Sequence, residues 1–278
     1  MKKMIYANYD WDDNIIYMPT RIVLFKKSTA DQNLPKEVSV STETFAHTRS
    51  KVGVEVHVLN TAVVDDVVID CPKGKIPTGS VNLIDYDIDN NEGGSFRQFR
   101  DCSMKYFLRD LKTALDNKNF GASFKDFVEH CETQVLANNV TIITARGHAP
   151  ETIHEGLVFL QKNGYIKFVP PVENIYPCSY KNHKSILVAS AQNPSEAKKN
   201  ILLSILDQVN ANSNQDKNFH TFGFSDDDAK TMKLVEQSLS EEIAKGRWNN
   251  FEINLYFTGN KVKERKTLLS VKSVDKVA

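Results

Sequence analysis

Four cysteines, Cys71, Cys102, Cys131 and Cys178, are all that the 278 residues contain, and no two form a CxxC pair. This argues against a zinc knuckle or a thioredoxin-like motif and leaves reduced thiols as the expectation. No charge of one sign is in excess: 35 Lys and Arg balance 35 Asp and Glu, so no global field favours nucleic acid or an anionic membrane. No apolar run approaches the roughly 20 residues that span a bilayer. Lys2 and Lys3 are followed by Asn8 and Asp10 rather than by an apolar h-region, so no signal peptide is read and a cytoplasmic location is expected. Internal repeats and low-complexity tracts are also missing. The lysines between 261 and 276 read as a solvated end.

What is present is the composition of a globular chain, 41% apolar and 25% charged, long enough for one large domain or two modest ones. A first strand ends at Asp10. Over 15–68 short β-branched runs follow: Ile22 to Phe25, Val38 to Val40, Val54 to Val58, and Val67 to Ile69 just beyond. Turn formers separate them, such as Asp31-Gln32-Asn33 and Pro72-Lys73-Gly74. Residues 85–94 are acidic and Gly-rich and read as a loop. From Phe96 the period becomes helical, with Met104, Phe107, Leu108, Leu111 and Leu115 on one face. Thereafter strands and helices alternate: a helix over 124–136 capped by Ser123, a strand Val140 to Thr144, and a helix over 150–163 closed by Gly164. A strand over 166–169 comes next, then a helix over 195–210 capped by Ser195, a polar linker over 211–218 and a strand over 219–224. A helix over 228–245 and a strand over 251–257 complete the reading. This alternation predicts right-handed βαβ crossovers and a mainly parallel sheet. The expected fold is an α/β Rossmann-like three-layer sandwich, with a core of residues 1–14 and 96–278 and a β-rich insertion over 15–95.

Asp10 and Asp12 stand two residues apart where the first strand runs into a loop, and ligands of an open α/β sheet bind beyond the carboxyl ends of its strands. Two converging acids repel unless a cation or a shared proton relieves them. The string Asp10-x-Asp12-x-Asn14 is not an EF-hand loop, because Ile15 and Arg21 replace the required Gly and Glu. Asp85-x-Asp87-x-Asp89 fails in the same way, with Asn90 and Phe96. Three more groups fall at element ends. Thr144 closes a strand and precedes Arg146 and His148, Lys198 and Lys199 lie in the first turns of a helix, and Asp226, Asp227 and Asp228 follow a strand and Ser225. Each alone has an ordinary structural reading; His57 and His148 are read as structural or loop residues, and Trp11 as packing into the core or the insert.

Taken in order, these four motifs resemble those of the haloacid dehalogenase superfamily across nearly the whole chain. The resemblance implies a Mg²⁺-dependent phosphohydrolase acting on a phosphorylated small molecule. Asp10 would be the nucleophile that becomes an aspartyl-phosphate, and Asp12 the general acid and base. Thr144 would bind the phosphoryl group, Lys198 or Lys199 would neutralise its charge, with Lys198 favoured, and Arg146 is a candidate phosphate contact by analogy with polynucleotide phosphatase relatives. Mg²⁺ would draw its ligands from Asp10, Asp12 and one or both of Asp226 and Asp227. Asn14 departs from the Thr or Val usual at that place, so local hydrogen bonding is expected to differ. The insertion would form a strand-built flap or small cap that selects substrate. Two rivals remain: a nucleic-acid or nucleotide end-processing phosphatase, suggested by Thr144-Ala145-Arg146 and the lysine-rich tail, and a binding protein of the same fold without catalysis.

Overall fold

The structure, a computed structural model, describes residues 4–34, 36–56, 58–59, 81–88, 94–99, 105–180, 182, 186–213, 220–259 and 262–269. Val67 to Ile69, the Pro72 turn, His57, Cys71, Cys102 and Met104 lie outside them. In chain order the strands are β1 Met4–Tyr9, β2 Arg21–Lys26, β3 Glu37–Ser41, β4 Val58–Leu59, β5 Val81–Asn82, β6 Tyr86–Asp87, β7 Val140–Thr144, β8 Ile175–Pro177, β9 His220–Asp226, β10 Phe251–Phe257 and β11 Glu264–Leu269. The helices are α1 Thr42–Thr48, α2 Lys105–Asp116, α3 Phe124–His130, α4 Gln134–Ala137, α5 Pro150–Lys162, α6 Ile186–Ala189, α7 Pro194–Ser213 and α8 Ala229–Ala244. None of the described helices is long and apolar enough to cross a membrane.

Two compact units emerge, Met1–Met18 with Leu111–Ala278, and Pro19–Asp110. The boundaries between these units lie at 18/19 and 110/111, the second inside α2. In the larger unit six strands form one sheet in the order β11-β10-β9-β1-β7-β8, parallel except for β11. This is a Rossmann-like α/β arrangement. Strand residues alternate faces. Ile143, Phe222, Phe224, Ile253 and Leu255 enter a core with Ala197, Ile201, Leu202 and Leu206 of α7 and Met232, Val235 and Leu239 of α8. On the opposite face Tyr9 meets Phe127 of α3 edge-on, with ring centroids 5.7 Å apart. The smaller unit has its own antiparallel sheet, β3-β2-β6, and its own core of Ile22, Leu24, Val38, Val40, Phe45, Val52, Leu83 and Tyr86.

Several elements differ from the sequence reading. Val54 to Val56 are not strand: Gly53, at φ 76°, turns the chain, and the N–H groups of Val54 and Glu55 donate to the Lys51 carbonyl. Val54 and Val56 are left exposed. Thr42–Thr48, unread in the sequence, is helical because the Ser41 hydroxyl caps it by accepting from Thr44 N–H. The helix read over 124–136 breaks after His130, and Thr133 starts α4 by accepting from Leu136 N–H. Residues 166–169 form no strand: Phe168 N–H donates to the Cys131 carbonyl, and Pro170-Pro171 offers no ladder donors. The strand beside β7 is β8. Asn193, not Ser195, caps α7 by accepting from Glu196 N–H, and the Glu196 carboxylate accepts from Gln192 N–H. Within the lysine-rich tail, Glu264–Leu269 pairs with β10 as β11, with Glu264 to Thr267 exposed to solvent.

Candidate functional site

From β1 the chain crosses to β7 and β8 on one side, then to β9 and β10 on the other. Strand order thus reverses at β1, and the crevice beyond the carboxyl ends there is the place where such sheets hold ligands. Asp10 directly follows β1, Thr144 ends β7 and Asp226 ends β9. The topology brings all three to one edge.

Lys198, in the first turns of α7, joins them. Its Nζ lies 2.7 Å from Asp226 Oδ2 and 3.1 Å from Asp10 Oδ2, with all three side chains buried. Lys199 is half-buried and does not join the cluster. Carboxylate oxygens of Asp10, Asp226 and Asp227 come within 4.8 Å of one another, a set that could hold a metal ion. Asp12 is not in this set. Its two oxygens accept from Arg146, Nε at 2.9 Å and Nη2 at 2.6 Å, in a bidentate fork. Arg146 is fully buried, and its N–H donates to Thr144 Oγ1. Arg146 therefore touches the second acid of the Asp-x-Asp pair.

Burial pushes the Asp10 carboxyl well above the usual range; Lys198 pulls it down, and Asp226, Asp227 and Asp12 push it up again. Asp226 is raised by burial against the lowering pull of Lys198. Burial, then Asp226 and Asp13, raise Asp227 to about 8. For Lys198, burial would lower the pKa, but Asp10 and Asp226 together outweigh it and the ammonium is held charged. Three acids thus surround one ammonium. If all ionise, two negative charges stay uncompensated, and Asp10 Oδ1 is buried with no hydrogen-bond partner among the described residues. A divalent cation fits both observations: it supplies two charges and a partner for that oxygen, and oxygen-only donors suit a hard ion such as Mg²⁺, Ca²⁺ or Mn²⁺.

A polar clasp beneath the acids sets their positions. The Asn14 carboxamide donates to the carbonyl of Asp10 at 3.1 Å, to the carbonyl of Ser225 at 3.0 Å and to its hydroxyl at 2.9 Å, and accepts from Thr258 Oγ1 at 3.0 Å. The Asp10 N–H donates to the Ser225 carbonyl and the Thr258 N–H to the Asp226 carbonyl. Three strand ends are tied together. Ser123 leaves its capping position uncapped and donates instead to Ser225 Oγ. Gly121 approaches so closely that a Cβ there would lie 2.2 Å from the Asn14 carbonyl oxygen. Asp13 is held at φ 56°, and its charge is felt by Asp227. Trp11 is fully buried, in line with a packing role, and His148 is buried as well. Cys178 sits near Lys198 and Asp10, but burial raises its thiol to about 12, which keeps it unreactive.

Asn14 stood out in the sequence only as a departure, and Ser225 only as the residue before the acidic run. A signal for Asn14 existed, since a side chain with two donors and an acceptor after a strand can bridge strand ends. Gly121 and Thr258 carry no local signal at all. No protein-family model, curated protein or solved structure matches this chain.

Proposed function

We propose that this chain is a Mg²⁺-dependent phosphohydrolase of the haloacid dehalogenase kind, working through an aspartyl-phosphate on Asp10. The observation that carries this reading is Lys198 Nζ set between Asp10 and Asp226, with Asp227 completing a buried acidic cluster at the point where strand order reverses. A carboxylate attacks phosphorus only where the negative charge of the phosphoryl group is screened. Lys198 provides part of that screening, and Mg²⁺ bound by Asp10, Asp226 and Asp227 would supply the rest.

In this reading Asp10 attacks the phosphorus and the P–O bond to the leaving group breaks. Asp12 gives a proton to the departing alkoxide, then takes one from the water that cleaves the acyl phosphate. Because the Arg146 fork occupies both oxygens of Asp12, that fork must loosen before Asp12 can carry a proton. Thr144, whose hydroxyl accepts from Arg146 N–H, can donate its own hydrogen to a phosphoryl oxygen. The test is hydrolysis of p-nitrophenyl phosphate and acetyl phosphate with Mg²⁺, beside the Asp10→Asn variant. The wild type is expected to turn over at least one of them and the variant neither. Equal turnover by both proteins would remove Asp10 as nucleophile.

A further inference from the structure

Away from the acidic cluster, the sheet face opposite α7 and α8 carries a cavity of about 180 Å³. Its floor is the in-register pair Ala7 and Gly223 of β1 and β9. Strand alternation sends Phe222 and Phe224 into the core on the far side and leaves Thr221, Gly223 and Ser225 facing the cavity. The Ala7 methyl keeps that part of the floor low, and the Tyr256 ring edge packs over Gly223, 3.4 Å from where a Cβ would lie. Tyr9, Tyr256 and His130 stand around it, with the Tyr9 hydroxyl 2.6 Å from His130 Nδ1. Lys263 straps one side: it pairs with Asp126 and places its Nζ 4.3 Å from the Tyr256 ring centre. The Thr221 hydroxyl oxygen is buried and finds no hydrogen-bond partner among the described residues.

From this geometry we propose that the cavity binds a single planar aromatic ring carrying one hydrogen-bonding substituent. Size selects the ring count: an apolar cavity of roughly 150 Å³ admits benzene, whereas drug-sized ligands occupy about 300 Å³ or more. One ring fits at 180 Å³, and a nucleoside does not. Shape selects planarity, because a ring lying on Ala7 meets bare sheet below and the edge of the Tyr256 ring, which packs over Gly223, beside it. The orphaned Thr221 hydroxyl selects the substituent, since a buried hydroxyl without a partner is costly and a ligand donor or acceptor relieves it. The lining surface is mostly apolar, and the charges of Lys263 and Asp126 are paired with each other, which suits a neutral ligand.

Phenol is the simplest probe. In a titration followed by amide chemical shifts of the wild-type protein, the shifts should saturate and centre on Ala7, Thr221, Gly223 and Tyr256. Cyclohexanol has the same hydroxyl on a puckered ring and should bind severalfold more weakly. Thr221→Val should weaken phenol about fivefold, the worth of one neutral hydrogen bond, and leave benzene unchanged. Gly223→Leu fills the cavity and should abolish binding. Should that variant not fold, the wild-type shift map and the cyclohexanol contrast still decide. Shifts centred elsewhere, no saturation, cyclohexanol binding as tightly as phenol, or a folded Gly223→Leu that still binds would each overturn the proposal.

Discussion

Around Lys198 three carboxylates compete for one ammonium, and that imbalance governs how the site responds to mutation and pH. Lys198→Met leaves Asp10 and Asp226 buried without their cation, a loss expected at about 3 kcal/mol in urea unfolding at pH 8. Both acids already have raised pKa values, so they can protonate, and the loss should shrink at pH 5. An equal loss at both pH values would contradict the ion-pair account. Asp227 gives a second readout. Its folded pKa, about 8, lies above the ordinary carboxylate value, so its contribution is fully present at acid pH and disappears as pH rises through about 8. Metal-free protein should therefore melt lower at pH 9 than at pH 6, and Asp227→Asn should flatten that slope in calorimetry. At residue scale the sequence was legible where chemistry follows residue type and order: Asp10, Lys198 and Asp226 meet as read. It was not legible where a side chain could choose between partners. Asp12 meets Arg146 instead of the other acids, and only the fold brings residues 134 positions apart together.

Among the elements, the loop after β1 depends on backbone that approaches it from the turn before α3. Gly121 N–H donates to the Ile15 carbonyl and Ser123 N–H to the Asn14 carbonyl. In Gly121→Ala the new Cβ meets backbone atoms, which cannot swing aside as a flexible side chain would. The variant should lose about 2–3 kcal/mol in urea unfolding and lose turnover through displacement of Asn14 and Asp10. A variant as stable and active as wild type would show that the Asn14 clasp does not set the acid geometry. Elements with strong periodicity or a Gly stop, such as β7, α5 and β10, were readable in the sequence. Those decided by tertiary hydrogen bonds were not. The α3 break rests on the Thr133 cap, and the strand moves from 166–169 to Ile175–Pro177 because β7 finds its partner after the two prolines.

At the scale of the whole molecule, one sheet with its reversal at β1 accounts for the convergence of distant residues, and Pro19–Asp110 adds a unit with its own core. A mainly parallel α/β sheet was legible from the strand and helix alternation. The order β11-β10-β9-β1-β7-β8 was not, since periodicity says nothing about which strands are neighbours. That order makes the opening acids a site, because it sets Thr144 and Asp226 on either side of Asp10. In the proposed reaction Asp10 becomes phosphorylated. Its most direct test is to mix the protein with Mg²⁺ and acetyl phosphate, quench in acid and analyse the peptides by mass spectrometry. One phosphoryl group is expected on the peptide containing Asp10, removed by hydroxylamine and missing in Asp10→Asn. A phosphoryl group on another residue, or turnover undiminished in Asp10→Asn, would contradict it.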